Sequence, residues 1–392
     1  MITRAGETAL TLRLLLARLL LSLLVLPATA TATESLRLIG DLRSEYAGLD
    51  RRDRDGSHSD SEEFRARVRL GVEASISPRW SARLRAAGRF SSAAGGSAFF
   101  VRSHAPTPTG LVPNQATLDE FNLAYRGEAF SLRFGRLQTK VDLPDLMAKS
   151  LSRKDSAGVE VSWTDGVELR YGRGDWQQQL ILQHNARAGT SNPQRPPLSF
   201  DQGGSRVSYA YGVESTQPWG PLTLRGLHLS YLPDALATHG PLTSWSAEPA
   251  AGRDDYLALN LRAAAVFPRA QGGRFMLAGE VGRALQTPSR ASLGLGDRGE
   301  VGGTALQLSA NWLDLRPGHD LALLYGRAEA GWLLSPDFVP NMDLQELRYQ
   351  WTVDKHSAFE FRLRRREDLG LRTDRPDRRI DKDFYVRYTY KL

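Results

Sequence analysis

From Glu63 to Phe90 the chain reads EFRARVRLGVEASISPRWSARLRAAGRF, and charged and uncharged residues take alternate places. Arg65, Arg67 and Arg69 share one parity with Glu63 and Glu73, while Phe64, Ala66, Val68, Leu70, Val72 and Ala74 share the other. Beyond Pro78 the alternation resumes, with Arg79, Arg83, Arg85 and Arg89 set against Trp80, Ala82, Leu84, Ala86 and Phe90. A helix turns by roughly 100° per residue and would smear this pattern around its cylinder. A strand separates it into two faces, so the spacing predicts strands.

The same dyad recurs to the end of the chain. Phe130, Leu132 and Phe134 alternate with Ser131 and Arg133, and Phe359, Phe361 and Leu363 with Glu360, Arg362, Arg364 and Arg366. The last segment carries Phe384, Val386, Tyr388, Tyr390 and Leu392 on one parity. The pattern predicts strands at 36–46, 63–76, 79–91, 117–127, 129–137, 157–173, 175–186 and 204–214. Further strands follow at 219–231, 254–267, 272–285, 301–314, 317–330, 342–354, 356–367 and 381–392. That makes sixteen, with 157–173 taken as one irregular strand although Thr164-Asp165-Gly166 has turn composition; eighteen strands is the alternative.

Short connections, such as Ser77–Arg79 and Gly174-Asp175, take turns with long polar ones at 47–62, 92–116, 138–156, 187–203, 232–253, 286–300, 331–341 and 368–380. Periplasmic turns and extracellular loops alternate in this way in outer-membrane barrels. Soluble sandwiches also alternate polar and apolar residues. Two further features favour the membrane: strands of roughly 11–14 residues, against about 5–6 in globular sheets, and aromatic residues near strand ends. Tyr46, Trp80, Phe90, Trp163, Trp176, Trp219, Tyr231, Trp332 and Trp351 are read as interfacial girdles. The expected fold is therefore all-β: a transmembrane antiparallel barrel with short periplasmic turns and long extracellular loops.

Composition sharpens this picture. The 392 residues contain no cysteine and carry a formal net charge of +7. The N-terminus reads as a secretory signal, with Arg4, Arg13 and Arg18 ahead of the apolar run Leu19–Leu26 and A-x-A cleavage sites within ATATAT. Residues 1–32 are assigned to the signal peptide and 33–392 to a single barrel domain. After residue 32 no window reaches the eighteen apolar residues a spanning helix needs.

If the apolar face meets lipid, the arginines line the lumen, because an arginine on the lipid face near the midplane costs about 2–4 kcal/mol. Expected pore-lining residues are Arg65, Arg67, Arg69, Arg83, Arg85, Arg89, Arg133, Arg362, Arg364 and Arg366. The first two arginine-rich strands are joined by a short turn and should form one continuous basic wall. Guanidinium stays charged and pairs its planar fork with carboxylate or phosphate. The competing reading is a structural ion-pair network with Glu63, Glu73, Glu120, Glu160 and Glu360.

On these features the chain resembles Gram-negative outer-membrane porins and, more loosely, the alginate-export and phosphate-selective porin families. The most specific stretch is LRFGRLQTKVDLPDLMAKSLSRKDS, residues 132–156, leading into GVEVSWTDGVELRY. A strand ending in Gly135-Arg136 and followed by a long third loop is similar to the porin arrangement in which that loop folds into the barrel. The resemblance implies that loop 138–156 enters the lumen. It makes Asp142, Asp145, Lys149, Arg153, Lys154 and Asp155 candidate constriction residues, whose acids would set a transverse field.

Other chemistry finds little support. Asp53, Asp55, Gly56 and Glu62 fit a calcium loop in part, but Arg51 occupies the first ligand place. The histidines are scattered and no G-x-S-x-G signature occurs, so no catalytic residue, metal site or cofactor is expected. Nucleic acid is not an expected partner, since the arginines lie inside the barrel. Expected partners are outer-membrane lipid, lipopolysaccharide and small anionic solutes, with a homotrimer as the candidate assembly. The expected function is a porin for small hydrophilic, preferentially anionic solutes. Alternatives are an exporter of an acidic polysaccharide, a non-conducting surface or adhesion barrel, and a soluble periplasmic binding protein.

Overall fold

The structure is a computed structural model and describes residues 36–93, 98–99, 113–185, 206–236, 253–269, 272–287, 290, 301–372 and 375–392. The expected signal peptide lies outside these residues, as do large parts of four expected long loops. Leu38–Leu392 is one of two units of the chain; of the other, Met1–Arg37, only Leu36 and Arg37 are described, as the first residues of β1.

In chain order the strands are β1 (Leu36–Arg52), β2 (His58–Ser75), β3 (Trp80–Ser91), β4 (Ala98–Phe99), β5 (Gln115–Arg126) and β6 (Phe130–Leu137). Then come β7 (Thr164–Arg173), β8 (Trp176–Asn185), β9 (Arg206–Ser215), β10 (Leu222–Leu236), β11 (Arg253–Pro268) and β12 (Arg274–Gln286). The last are β13 (Thr304–Arg316), β14 (His319–Ala328), β15 (Met342–Thr352), β16 (Ser357–Asp368) and β17 (Ile380–Lys391). Sixteen of them form a closed antiparallel barrel, and two-residue β4 adds a short parallel pairing to β5. Closure comes from β1, which pairs with β2 on one edge and with β17 on the other, in register from Asp41↔Lys391 to Arg52↔Ile380. Among the described residues, each of the sixteen barrel strands has a partner on both edges.

Register carries the alternation from strand to strand. Leu347, Leu363 and Phe384 are successive partners on β15, β16 and β17, and each faces outward. One residue along, the row Arg348, Arg362 and Tyr385 faces inward. The outer surface is accordingly apolar: Val68, Leu84, Leu261, Val281, Leu308, Leu323 and Leu363 are all exposed, and Leu308 is 57% accessible. Near the short turns, aromatic rings touch along the rim, as in Trp80–Tyr125–Phe130, Phe267–Phe275–Trp312 and Trp351–Phe359–Tyr388.

Four expectations need correction. Residues 157–163 are not strand; β7 begins at Thr164, and Thr164↔Leu137, Asp165↔Arg136 and Gly166↔Gly135 continue the ladder through the supposed turn. Val161 and Trp163 alternate because they pack on Ala87, not because they lie in a sheet. The loop expected at 47–62 is only the tight turn between Arg52 and His58, closed by Asp53 N–H to Ser57 O at 2.8 Å. Polar composition there reflects strands rising past the apolar band, where ladder pairing needs only backbone. Finally, Trp163 and Trp332 are not girdle residues, being buried at 3% and 0% exposure by loop packing. The fourth correction is the end of β14 at Ala328, after which the chain turns inward.

Inside the barrel an apolar cluster joins two loops to the inward face of the strands. Met147 and Leu151 of the third loop pack with Trp332, Leu333, Leu334 and Phe338 of the 329–341 loop, on Tyr256, Ala305, Ala322 and Leu324. Two strand glycines make this possible. A Cβ at Gly326 would stand 2.3 Å from Phe338 Cε1, and one at Gly282 2.4 Å from Trp332 Cη2. Both rings sit in notches that any other residue would fill.

Candidate functional site

The third loop, 138–163, leaves β6 and returns to β7. Its far end is fixed to the inward face of β11–β15. Leu146 N–H donates to Asn311 Oδ1 at 3.1 Å, Ser150 Oγ donates to Glu280 at 2.9 Å, and Asn260 Nδ2 donates to Ser152 Oγ at 2.9 Å. Lys149 meets Glu346 at 3.2 Å, and Arg348 donates to Met147 O at 2.9 Å. The 329–341 loop closes over it: Trp332 Nε1 donates to Leu151 O at 3.1 Å and Ser335 Oγ to Ser150 O at 2.6 Å.

The loop's return limb lies on the opposite wall. Arg67 donates to the carbonyls of Ser156 and Gly158 at 3.2 and 3.0 Å, and Arg43 donates to Gly158 O at 2.9 Å. Ala148 and Ser156 hold positive φ (45° and 55°), unusual for residues with a Cβ. Local bonds hold each of them: Ala148 N–H donates to Asp145, and Ser156 exchanges bonds with Ser162. At the loop's base Arg136 forks onto Asp165 at 2.8 and 3.0 Å, with its guanidinium 4.3 Å from the Trp163 ring.

Between this loop and strands β1, β2 and β15–β17 lies a cavity of about 520 Å³. Arg43, Arg65, Lys140, Arg348, Arg362, Arg364, Arg366 and Arg387 line it beside Glu45, Asp142 and Glu360. In all, twelve Lys and Arg but only six Asp and Glu border it among the described residues. Shared carboxylates set the arginines in place. Asp383 takes Arg362 at 2.5 Å and Arg364 at 2.8 Å, Asp381 takes Arg366 at 3.1 Å, and Glu360 takes Arg387 at 3.2 Å. Tyr385 lies between two guanidiniums, 3.9 Å from Arg362 and 4.2 Å from Arg387. Arg43 has no carboxylate within ion-pair distance among the described residues, and the Lys140 ammonium likewise has none. Enclosure by the barrel, and then repulsion from Arg43, lower the Lys140 ammonium to about 8.

The sequence-derived lumen residues divide into groups. Arg65, Arg362, Arg364 and Arg366 border the main cavity, and Arg83 and Arg133 a second one near the short turns. Arg67 and Arg69 point inward but are covered by the third loop, at 1% and 5% exposure. Arg69 meets Asp119 at 3.0 Å, Arg85 meets Asp119 and Glu120 at 2.7 and 2.8 Å, and Arg89 comes within 4.0 Å of Glu160. Arg83 meets Glu73 at 2.8 Å, and Arg133 meets Glu168 at 2.6 Å. The expected unbroken basic wall on β2 and β3 is thus interleaved with acids, chiefly Asp41, Asp119 and Glu120 from neighbouring strands.

Of the loop residues, Asp142, Lys149 and Lys154 border the main cavity. Asp145, Arg153 and Asp155 do not. Asp145 accepts from Ser309 Oγ and the Ala148 amide, and burial raises its carboxyl above the ordinary value. Asp155 accepts from Thr139 and from Thr164 at 2.7 Å, and Arg153 donates to Thr164 at 2.7 Å. Asp142 is met by Lys154 at 2.7 Å. Asp145 and Asp155, two of the three acids expected to set a transverse field, are therefore turned to bonds that hold the loop. Arg43, Lys140, Arg348 and Arg387 were missed. Arg43 and Arg387 keep inward parity, but Arg43 is flanked by Asp41 and Glu45 and Arg387 stands among tyrosines, so no run of arginines marks them.

No protein-family model matches the chain, and no curated protein does either. Solved structures do match the fold. OprB of Pseudomonas putida superposes with a TM-score of 0.58 at 12% identity, covering 91% of this chain and 94% of that one. OpdQ of Pseudomonas aeruginosa gives 0.54 at 11% identity, covering 93% and 99%. An anion-selective porin from Comamonas acidovorans gives 0.53 at 11% identity, covering 91% and 99%. The fold is that of Gram-negative outer-membrane porins, whereas the looser resemblance to alginate-export and phosphate-selective families gains no support.

Proposed function

We propose that this barrel spans the outer membrane of a Gram-negative bacterium as a channel rather than an enzyme. Small hydrophilic solutes, preferentially anions, pass through the cavity beside Arg362, Arg364 and Arg366. Residues 1–32 direct export, and the apolar belt meets outer-membrane lipid and lipopolysaccharide. One observation carries the anion preference: basic groups border the cavity two to one over acids, twelve against six. In a narrow water-filled passage walled by low-dielectric protein, such an excess lowers the entry barrier for anions. The third loop narrows the passage.

Reversal potentials under a KCl gradient across planar bilayers test this. Chloride should be preferred, and replacing Arg362, Arg364 and Arg366 together by Gln should cut the chloride-to-potassium permeability ratio by about three- to tenfold. Cation preference in the unaltered protein, or an unchanged ratio in the variant, would refute the proposal. The loop cluster of Met147, Leu151, Trp332 and Phe338 favours a second reading, a plugged surface barrel. Single-channel recordings without discrete conductance would select it.

A further inference from the structure

A second basic cavity, of about 440 Å³, opens at the short-turn end of β2, β3 and β5–β7, apart from the cavity described above. Arg79, Arg83, Arg126, Arg133 and Arg170 line it, against only Glu73 and Glu168. Both carboxylates are already engaged. Glu73 holds Arg83 at 2.8 Å; Glu168 holds Arg133 at 2.6 Å, Arg170 at 2.9 Å and Gln179 Nε2 at 2.6 Å. Arg79 and Arg126 have no carboxylate partner among the described residues, and the Arg126 amide donates to Arg79 O at 2.8 Å, which places the two residues side by side. Serine hydroxyls at Ser75, Ser77, Ser81 and Ser131 complete the lining.

We propose that this vestibule binds a small oxyanion bearing two or more negative charges, such as a polycarboxylate or a phosphate. The three guanidiniums held by carboxylates form a fixed floor, and Arg79 and Arg126 supply the charge that those carboxylates leave uncancelled. Guanidinium forks match oxyanion geometry, and the serines offer further donors. This site adds to the channel reading without resting on it, because it lies on other strands and requires no conduction.

Trp80 borders the same cavity, its ring standing in the adjoining aromatic rim, and gives a neighbouring signal. Citrate and inorganic phosphate are titrated separately into the detergent-solubilised full chain while tryptophan fluorescence is followed. A saturable change should appear with at least one of them, vanish in Trp80→Phe, and move to about tenfold higher concentration in Arg79→Gln/Arg126→Gln. The tighter of the two names the ligand chemistry. Sodium chloride of matched ionic strength should give no saturable change. If chloride reproduces the response, if the double variant titrates like the unaltered chain, or if Trp80→Phe keeps the signal, the proposal falls. Because the readout needs no membrane, a non-conducting barrel would leave the outcome interpretable.

Discussion

Lys140 shows what a single position contributes. Among the described residues it has no ion-pair partner, and its ammonium is lowered to about 8 by enclosure and by Arg43. Lowering means that the positive charge is present below that pH and lost as pH rises through it. Anion preference should therefore decline between roughly pH 7 and 9. In Lys140→Gln that part of the decline should be absent; reversal potentials at stepped pH measure both. Nothing in the sequence distinguished Lys140 from the loop's other charges. Asp145 and Asp155 carry the same formal charge as Asp142, yet hydrogen bonds from Ser309, Thr139 and Thr164 draw them out of the passage. Those donors lie up to 164 positions away. Side-chain parity tells which way a strand residue faces; a loop offers no such rule, and that is why only three of its six candidate residues border the main cavity.

At the scale of elements, most strands were legible because alternation and register are one phenomenon: a residue's face is fixed by its parity. The failures share a cause. Val159, Val161 and Trp163 alternate within a loop, and His58–Glu62 form strand without an apolar face, so pattern and backbone part company at the long-loop end. The packing of one loop on another was wholly hidden. Trp332 looked like a girdle residue, although Gly282 and Gly326 leave the spaces that let Trp332 and Phe338 turn inward. Because Trp332 contributes both its buried ring and a hydrogen bond to Leu151 O, Trp332→Ala should loosen the third loop. The expected result is larger and noisier single-channel current with little change in ion preference. Deleting such a buried ring costs about 3–5 kcal/mol locally. A current indistinguishable from the unaltered protein's would show that the loop stands without this contact.

For the molecule as a whole, closure between β1 and β17 makes each of the sixteen barrel strands depend on two neighbours, and the outer belt ties that closed sheet to lipid. Placing a charge on the belt tests this orientation directly. Leu308→Arg should destabilise the barrel by about 2–4 kcal/mol in urea titrations from liposomes, while an arginine in place of inward-facing Gln307 should not carry that lipid-exposure cost. A larger loss at Gln307 than at Leu308 would mean that the two faces had been reversed. Strand count and facing were readable because they follow from local pattern repeated many times. The distribution of charge around the lumen was not, since it emerges from acids and bases on different strands, as where Asp119 of β5 joins Arg69 of β2 to Arg85 of β3.

That division of labour has a consequence for how such a protein can change. The guanidiniums beside the main cavity are held by carboxylates rooted in the sheet, Asp383 and Glu360 above all, whereas the obstruction beside them is a removable inlay. Grafting a foreign inlay between Leu137 and Thr164 would reset which molecular sizes get through yet leave the sign of the favoured ion untouched. Sieving can then drift while the sheet keeps the sign of the charge preference, the loop's own charges, Lys140 among them, altering only its degree.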